Sequence, residues 1–214
     1  MANIDEEYFN LDENIKQNKI EDILMSNESV LVRLKPDKKT YILETIFKGL
    51  PLALFWGGFD AFFIFMMVHN NVFAQMGYTF ILFMVFFFAI HLIPVWLYIA
   101  KAIKKIAEYK NVEYVFTDKR IIIRSGVIGI DFKTMMYEEV VSVVVKVGLF
   151  DRIFKVGDLY IKTESQTGCI EDIKSPYQYS SKIQKIVQDI KADINYPNDL
   201  RPEENHGYNT KYKG

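Results

Sequence analysis

Asp60 and His91 stand alone as acid and imidazole within two otherwise apolar stretches, Leu50–Val68 and Tyr78–Ala100, which hold no Lys or Arg. Asp60 lies twelve residues after Lys48 and His91 ten residues before Lys101. At ~1.5 Å rise per residue these offsets put them roughly 18 and 15 Å along two helices, nearly level with each other. In a lipid environment an ionisable side chain is costly and marks a functional position with a partner. The chemistry on offer is a carboxylate–imidazole hydrogen bond across the hairpin or between subunits, fixing helix register; a proton or ion pathway is the other reading.

No further constellation suggests catalysis. His69, His91 and His206 are far apart in sequence, and none has metal-ligand spacing with Cys169, the sole cysteine. Glu138-Glu139 and Glu171-Asp172 are acidic pairs best explained as solvated sheet edges, and no glycine-rich phosphate loop follows a strand. The chain is therefore not expected to be an enzyme, and no metal or cofactor is expected. A lone cysteine allows no internal disulfide, which suits a cytoplasmic domain. A formal net charge of −1 gives no case for a nucleic-acid partner. The basic residues Lys119, Arg120, Arg124, Lys133, Arg152 and Lys155 could meet anionic lipid headgroups at ~1 kcal/mol per well-placed cation. Ordinary solvated strand edges are the plainer account of the same residues.

The elements that must position Asp60 and His91 are the two apolar stretches, joined by a polar turn, His69–Gly77. Each is close to the ~20 residues that cross a ~30 Å hydrocarbon core. A buried helical hairpin of a soluble protein is disfavoured, because a chain of this size rarely needs two adjacent spans so rich in phenylalanine. Arg33, Lys35, Lys38, Lys39 and Lys48 precede the first stretch, Lys101, Lys104, Lys105 and Lys110 follow the second, and the turn has no Lys or Arg. Positive flanks stay inside, so both termini are expected in the cytoplasm of an inner-membrane protein. Trp96, Tyr98 and Tyr78 are placed for the interfaces. Gly57, Gly58 and Ala61 offer a small-residue face for a close helix, and Pro94 is placed to kink the second span.

The remaining chain divides around this hairpin. Residues 1–27 read as a weak amphipathic helix through Leu11, Ile15, Ile20, Ile23 and Leu24, and the acidic start Met1–Asn10 does not resemble a cleaved signal peptide. Glu28–Leu34 alternates as a strand ended by Pro36. From Val112 the texture becomes β: strands at Val112–Thr117, Arg120–Arg124, Val127–Met136, Val140–Val147, Leu159–Thr163 and Cys169–Ile173, with Gly148–Gly157 as a connection. Ser175-Pro176 starts a helix whose apolar face is Ile183, Ile186, Val187, Ile190 and Ile194, and Pro197 stops it. The polar segment 197–214 reads as a disordered tail.

Several short motifs here occur together in one known group. They are Phe116-Thr117-Asp118-Lys119-Arg120 followed by an apolar strand and Gly126, the polar-then-branched run Tyr137–Val145, Asp151-Arg152-Ile153-Phe154-Lys155-Val156-Gly157-Asp158, and Asp172-Ile173-Lys174-Ser175-Pro176. Together with Glu28–Pro36 ahead of the first span, they resemble the bacterial PH-like domain proteins attached to membrane hairpins. The likeness covers roughly residues 28–194; Lys155 stands where many relatives have glycine. It implies an α+β membrane protein: a two-helix transmembrane hairpin followed by a PH-like antiparallel sandwich or barrel closed by a C-terminal helix. The Thr117-Asp118-Lys119 turn is too short and too acidic for specific phosphoinositide binding of the eukaryotic kind.

The expected organisation is a cytoplasmic segment over 1–41, the hairpin over 42–109, the PH-like domain over 110–196, and the tail. The expected role is binding or scaffolding beside the membrane, through self-association or partner recruitment, with the valine-rich strand edge as the first surface to test. Partners would be membrane lipids, further copies of the chain, or another PH-like membrane protein. An accessory subunit of a transport or export system, using Asp60 and His91, is the alternative.

Overall fold

The computed structural model describes residues 19–195. The leader Met1–Asn10, Leu11, Ile15 and the 197–214 tail lie outside them. Where the amphipathic helix was expected, the described residues form a single 3-10 turn, Ile20–Ile23. Its Ile20 seals a small cluster with Val115 and Ile122.

Among the described residues, seven strands make two antiparallel sheets. The first runs in the order β1 (Val30–Leu34), β2 (Glu113–Thr117), β3 (Arg120–Ser125), β4 (Asp131–Met136). The second is β5 (Val140–Lys146), β6 (Val156–Thr163), β7 (Thr167–Lys174). β1 pairs with β2 in the register Arg33↔Val115 and Leu34↔Tyr114. The strand upstream of the helices thus completes the sheet formed downstream of them, and the hairpin is an insertion between β1 and β2. A division at residue 110 leaves this strand outside the sheet it belongs to.

Ile121, Ile122 and Ile123 are consecutive and all buried, because β3 is covered on both faces. Ile121 and Ile123 face the main core with Phe116, Met135, Leu159, Ile161 and Ile170, while Ile122 faces Ile20. The closing helix, Pro176–Asn195, starts where expected and packs Ile183, Val187, Ile186 and Ile190 against that core. Ile194 departs from the expected face: it is 59% exposed.

The helices begin with α1 (Lys38–His69), capped by Asp37, whose Oδ1 accepts from the backbone of Lys39 and Thr40. After a short helix α2 (Val72–Gln75), the chain returns through α3 (Tyr78–His91) and α4 (Ile93–Glu108). Among the described residues α1 is the one helix long and apolar enough by itself to cross a membrane; α3 and α4 reach that length only as a pair, bent by 48°. The single continuous second helix that the apolar run suggests is therefore broken at Leu92. Pro94, within the first turn of α4, has no N–H to continue the ladder.

The Gly148–Gly157 connection contains a helix that periodicity missed, α5 (Leu149–Phe154). Gly148 N–H donates to Asp151 Oδ2 at 2.7 Å, and Lys155 ends the helix with φ 57°. That left-handed backbone is one that glycine adopts at least cost, and here a lysine carries it. The closing helix Pro176–Asn195 is α6.

Candidate functional site

The structure brings Asp60 and His91 together. His91 Nδ1 lies 2.8 and 3.0 Å from the two carboxylate oxygens, and Asp60 is only 1% exposed. The imidazole is flanked by two rings, Trp56 at 5.3 Å and Phe87 at 5.4 Å, both stacked. The break at Leu92 adds a third polar contact. Val95 N–H turns to Leu92 O, so His91 O loses its helical donor, and the Trp56 indole N–H donates to it at 2.7 Å. Trp56 thus bonds the backbone of the residue whose side chain it stacks on. This role was not legible from its position in an apolar run.

The close approach of the helices comes at a different glycine from those singled out. A Cβ on Gly49 would lie 2.4 Å from the Tyr98 ring, whose hydroxyl donates to Ile46 O at 3.1 Å. Gly57 would only touch Val95 at 3.8 Å, and Gly58 meets nothing within 4 Å among the described residues. Tyr98 is thus turned inward onto α1 rather than held at an interface.

The basic residues separate into two groups. Arg120 leaves the set of possible lipid contacts: it is buried, and Nε and Nη2 donate to Glu28 Oε1 and Oε2 at 2.8 and 2.7 Å. Nη2 also donates to Ile23 O. Burial alone would raise the Glu28 carboxyl, but the hydrogen bonds from Arg120, Met25 N–H and Thr117 bring it below the usual carboxylate range. Arg124 lies 3.8 Å from Glu113, and Lys133 Nζ donates to Thr167 O. Lys119, on the β2–β3 turn, adjoins Asp118, whose carboxylate accepts from Ser29 N–H. Arg152 and Lys155 are exposed on and after α5, beside Leu149 at 76% and Ile153 at 67% exposure. On the inner side of that helix Phe150 stacks on Phe47 of α1 at 5.6 Å. A basic and apolar edge therefore lies next to the start of the apolar part of α1.

The acid set aside in sequence as half of a solvated pair is not solvated. Asp172 is 3% exposed and sits at an irregularity in the β6–β7 ladder with φ 53°. Its N–H donates to Asp158 Oδ1 at 2.9 Å. One carboxylate oxygen from each of Glu44, Asp151 and Asp172 comes within 4.8 Å of the others. Burial first, and then the neighbouring charges of Asp158, Glu44, Asp151 and Glu171, push Asp172 up to about 8. Burial likewise raises Asp158 to about 6. Cys169 is raised to about 12 chiefly by burial and stays a thiol.

The sequence model of the bacterial PH domain family matches residues 63–193, more than half of the 214-residue chain. No match is found among curated proteins or among solved structures.

Proposed function

Because the chain belongs to the bacterial PH domain family, we propose that it is a scaffold anchored in the inner membrane by a two-span hairpin, with the PH-like domain and both termini on the cytoplasmic side. The observation that carries this reading is the length of the connections. Leu34 of β1 is followed within four residues by Lys38 of α1, and Glu108 of α4 within five by Glu113 of β2. A domain tethered at both ends of a hairpin by such short links has little freedom to tilt or swing away. Tyr41, in the second turn of α1, is itself part of the domain core. The apolar exterior of the helices supports lipid as their solvent: Phe55, Phe62, Phe65, Phe86 and Leu97 are each at least 61% exposed. On this reading the 48° bend is a kink within one span, and Leu149, Ile153, Arg152 and Lys155 rest on the inner leaflet.

The association surface is the β5 edge. Val141 and Val144 are exposed there, and the β5 carbonyl of Val140 is met by Lys191 Nζ at 2.8 Å from α6. An edge that is valine-rich and only partly covered by one helix suits pairing with a second strand, from another copy or from another PH-like membrane protein. The test combines fractionation and mass. The protein should stay in the pellet after alkaline carbonate washing and run in mild detergent above the monomer mass, alone or with a partner. Val141→Glu with Val144→Glu should leave the first result unchanged and reduce the mass to the monomer. Release by carbonate, or a monomer before any substitution, would defeat the proposal.

A further inference from the structure

The acidic group at the root of the hairpin contains two features that one protein chain seldom leaves unresolved. Asp151 Oδ1 and Asp172 Oδ1 are both buried and have no hydrogen-bond partner among the described residues, although each residue is 97% removed from solvent. A buried carboxylate oxygen without a donor is costly. Two of them beside a third carboxylate add repulsion to that cost.

We infer that Glu44, Asp151 and Asp172 bind one hard divalent cation of the Ca²⁺ or Mg²⁺ class, which ties α1 to the β-domain. The donor set is all oxygen, with no imidazole or thiolate, which selects these cations over zinc or copper. The spacing fits as well. Two oxygens each ~2.4 Å from one calcium lie at most about 5 Å apart, and the three carboxylates fall within 4.8 Å of one another. Glu44, with its side chain 23% exposed, is the way in, while the two aspartates close the back. Lys48 already bonds Glu44 Oε1 at 2.6 Å and is 68% exposed, so its ammonium can swing to the surroundings when a cation takes over the neutralisation.

The three ligands come from three elements: Glu44 from α1, Asp151 from α5 and Asp172 from β7. Asp37 N–H, just ahead of α1, also donates to Asp172 O at 2.8 Å, so the site lies where the hairpin is rooted in the domain. A cation there stiffens the angle between them. Protons compete for the same oxygens. A ligating carboxylate must be deprotonated, so acid weakens the binding.

The experiment uses the full chain in detergent or nanodiscs, stripped with EDTA and titrated at pH 8.5 with calcium, magnesium or manganese chloride by calorimetry. One saturable site is expected, with a matching rise in Tm. Asp151→Asn and Asp172→Asn should each weaken binding by more than about tenfold, while Glu138→Gln should leave it unchanged. Both asparagine variants remove a repelling charge, so in EDTA their Tm should equal or exceed that of the stripped parent, which separates lost binding from lost folding. The inference is overturned if the stripped parent binds none of the three cations, or if either asparagine variant binds as the parent does.

Discussion

The hairpin and the β-domain sort their side chains in opposite directions. In the domain, Ile121, Leu159, Ile161 and Ile170 are fully buried, as in any core surrounded by water. In the hairpin most of the large apolar groups point outward, while Met67, Met84 and Phe88 form a small buried cluster, and polar atoms are gathered between the helices: Asp60, His91, the Trp56 indole and the Tyr98 hydroxyl. With lipid as the proposed solvent of the helices, burying leucine gains little, so register must come from polar contacts and close backbone approach. In water the same contacts would be secondary to area burial. Each region should therefore fail by a different kind of lesion.

The largest effect belongs to the domain. Glu28 has a fully buried side chain and meets Arg120 through both oxygens. Glu28→Ala leaves an arginine with no counter-charge and should cost about 3–5 kcal/mol. Chemical denaturation followed by far-UV circular dichroism would read it. The pair also sets an acid limit. With the Glu28 carboxyl lowered on folding, its contribution is present above the usual carboxylate range and is lost as pH falls through the folded value. A loss below ~1 kcal/mol would mean that the domain tolerates an unpaired buried charge, and the contrast with the hairpin would weaken.

A smaller effect is expected from the hairpin's packing. Gly49→Val places new carbons where the Tyr98 ring lies and displaces its hydroxyl from Ile46 O, for an expected cost of about 1–3 kcal/mol. Gly58→Ala meets open space and should be neutral or mildly stabilising. Thermal melts in detergent would compare the two. Equal effects would show that the crossing point at Gly49 does not organise the hairpin.

How much could be read in advance followed the same division. The positions of the strands along the chain and the closing helix were legible because burial in water imposes periodicity, and Pro176 after Ser175 marks a helix start. The level placement of Asp60 and His91 followed from counting residues along two helices. What sequence could not supply were contacts that need the crossing geometry. Gly57-Gly58 reads like a packing motif, yet Gly49 takes the ring. Arg120 and Arg124 look alike in the chain, but Arg120 turns inward because Glu28 lies across the β1–β2 edge. The α5 helix was hidden because six residues do not establish a period, although Asp151 three residues after Gly148 was a capping signal. In the sequence Asp172 reads as one of a pair with its neighbour Glu171, whereas an irregular ladder turns it toward Glu44 and Asp151.

The smallest effect tests the hairpin's side of the comparison most directly. Asp60→Asn and His91→Gln each keep hydrogen-bonding capacity while removing one member of the pair. If the carboxylate–imidazole contact at 2.8 Å sets register, the two losses should not add. Coupling of about 0.6 kcal/mol, and at most about 1.7 kcal/mol, is the scale found for polar pairs between membrane helices. Trp56→Phe supplies a third corner: it removes the donor to His91 O but keeps a ring to stack on the imidazole. Because Trp56 acts on the backbone exposed by the Leu92 break, its loss should add independently to that of Asp60 while the Asp60–His91 coupling persists. Simple additivity between Asp60→Asn and His91→Gln would mean that the aromatic packing of Trp56 and Phe87, rather than the pair, holds His91 in place.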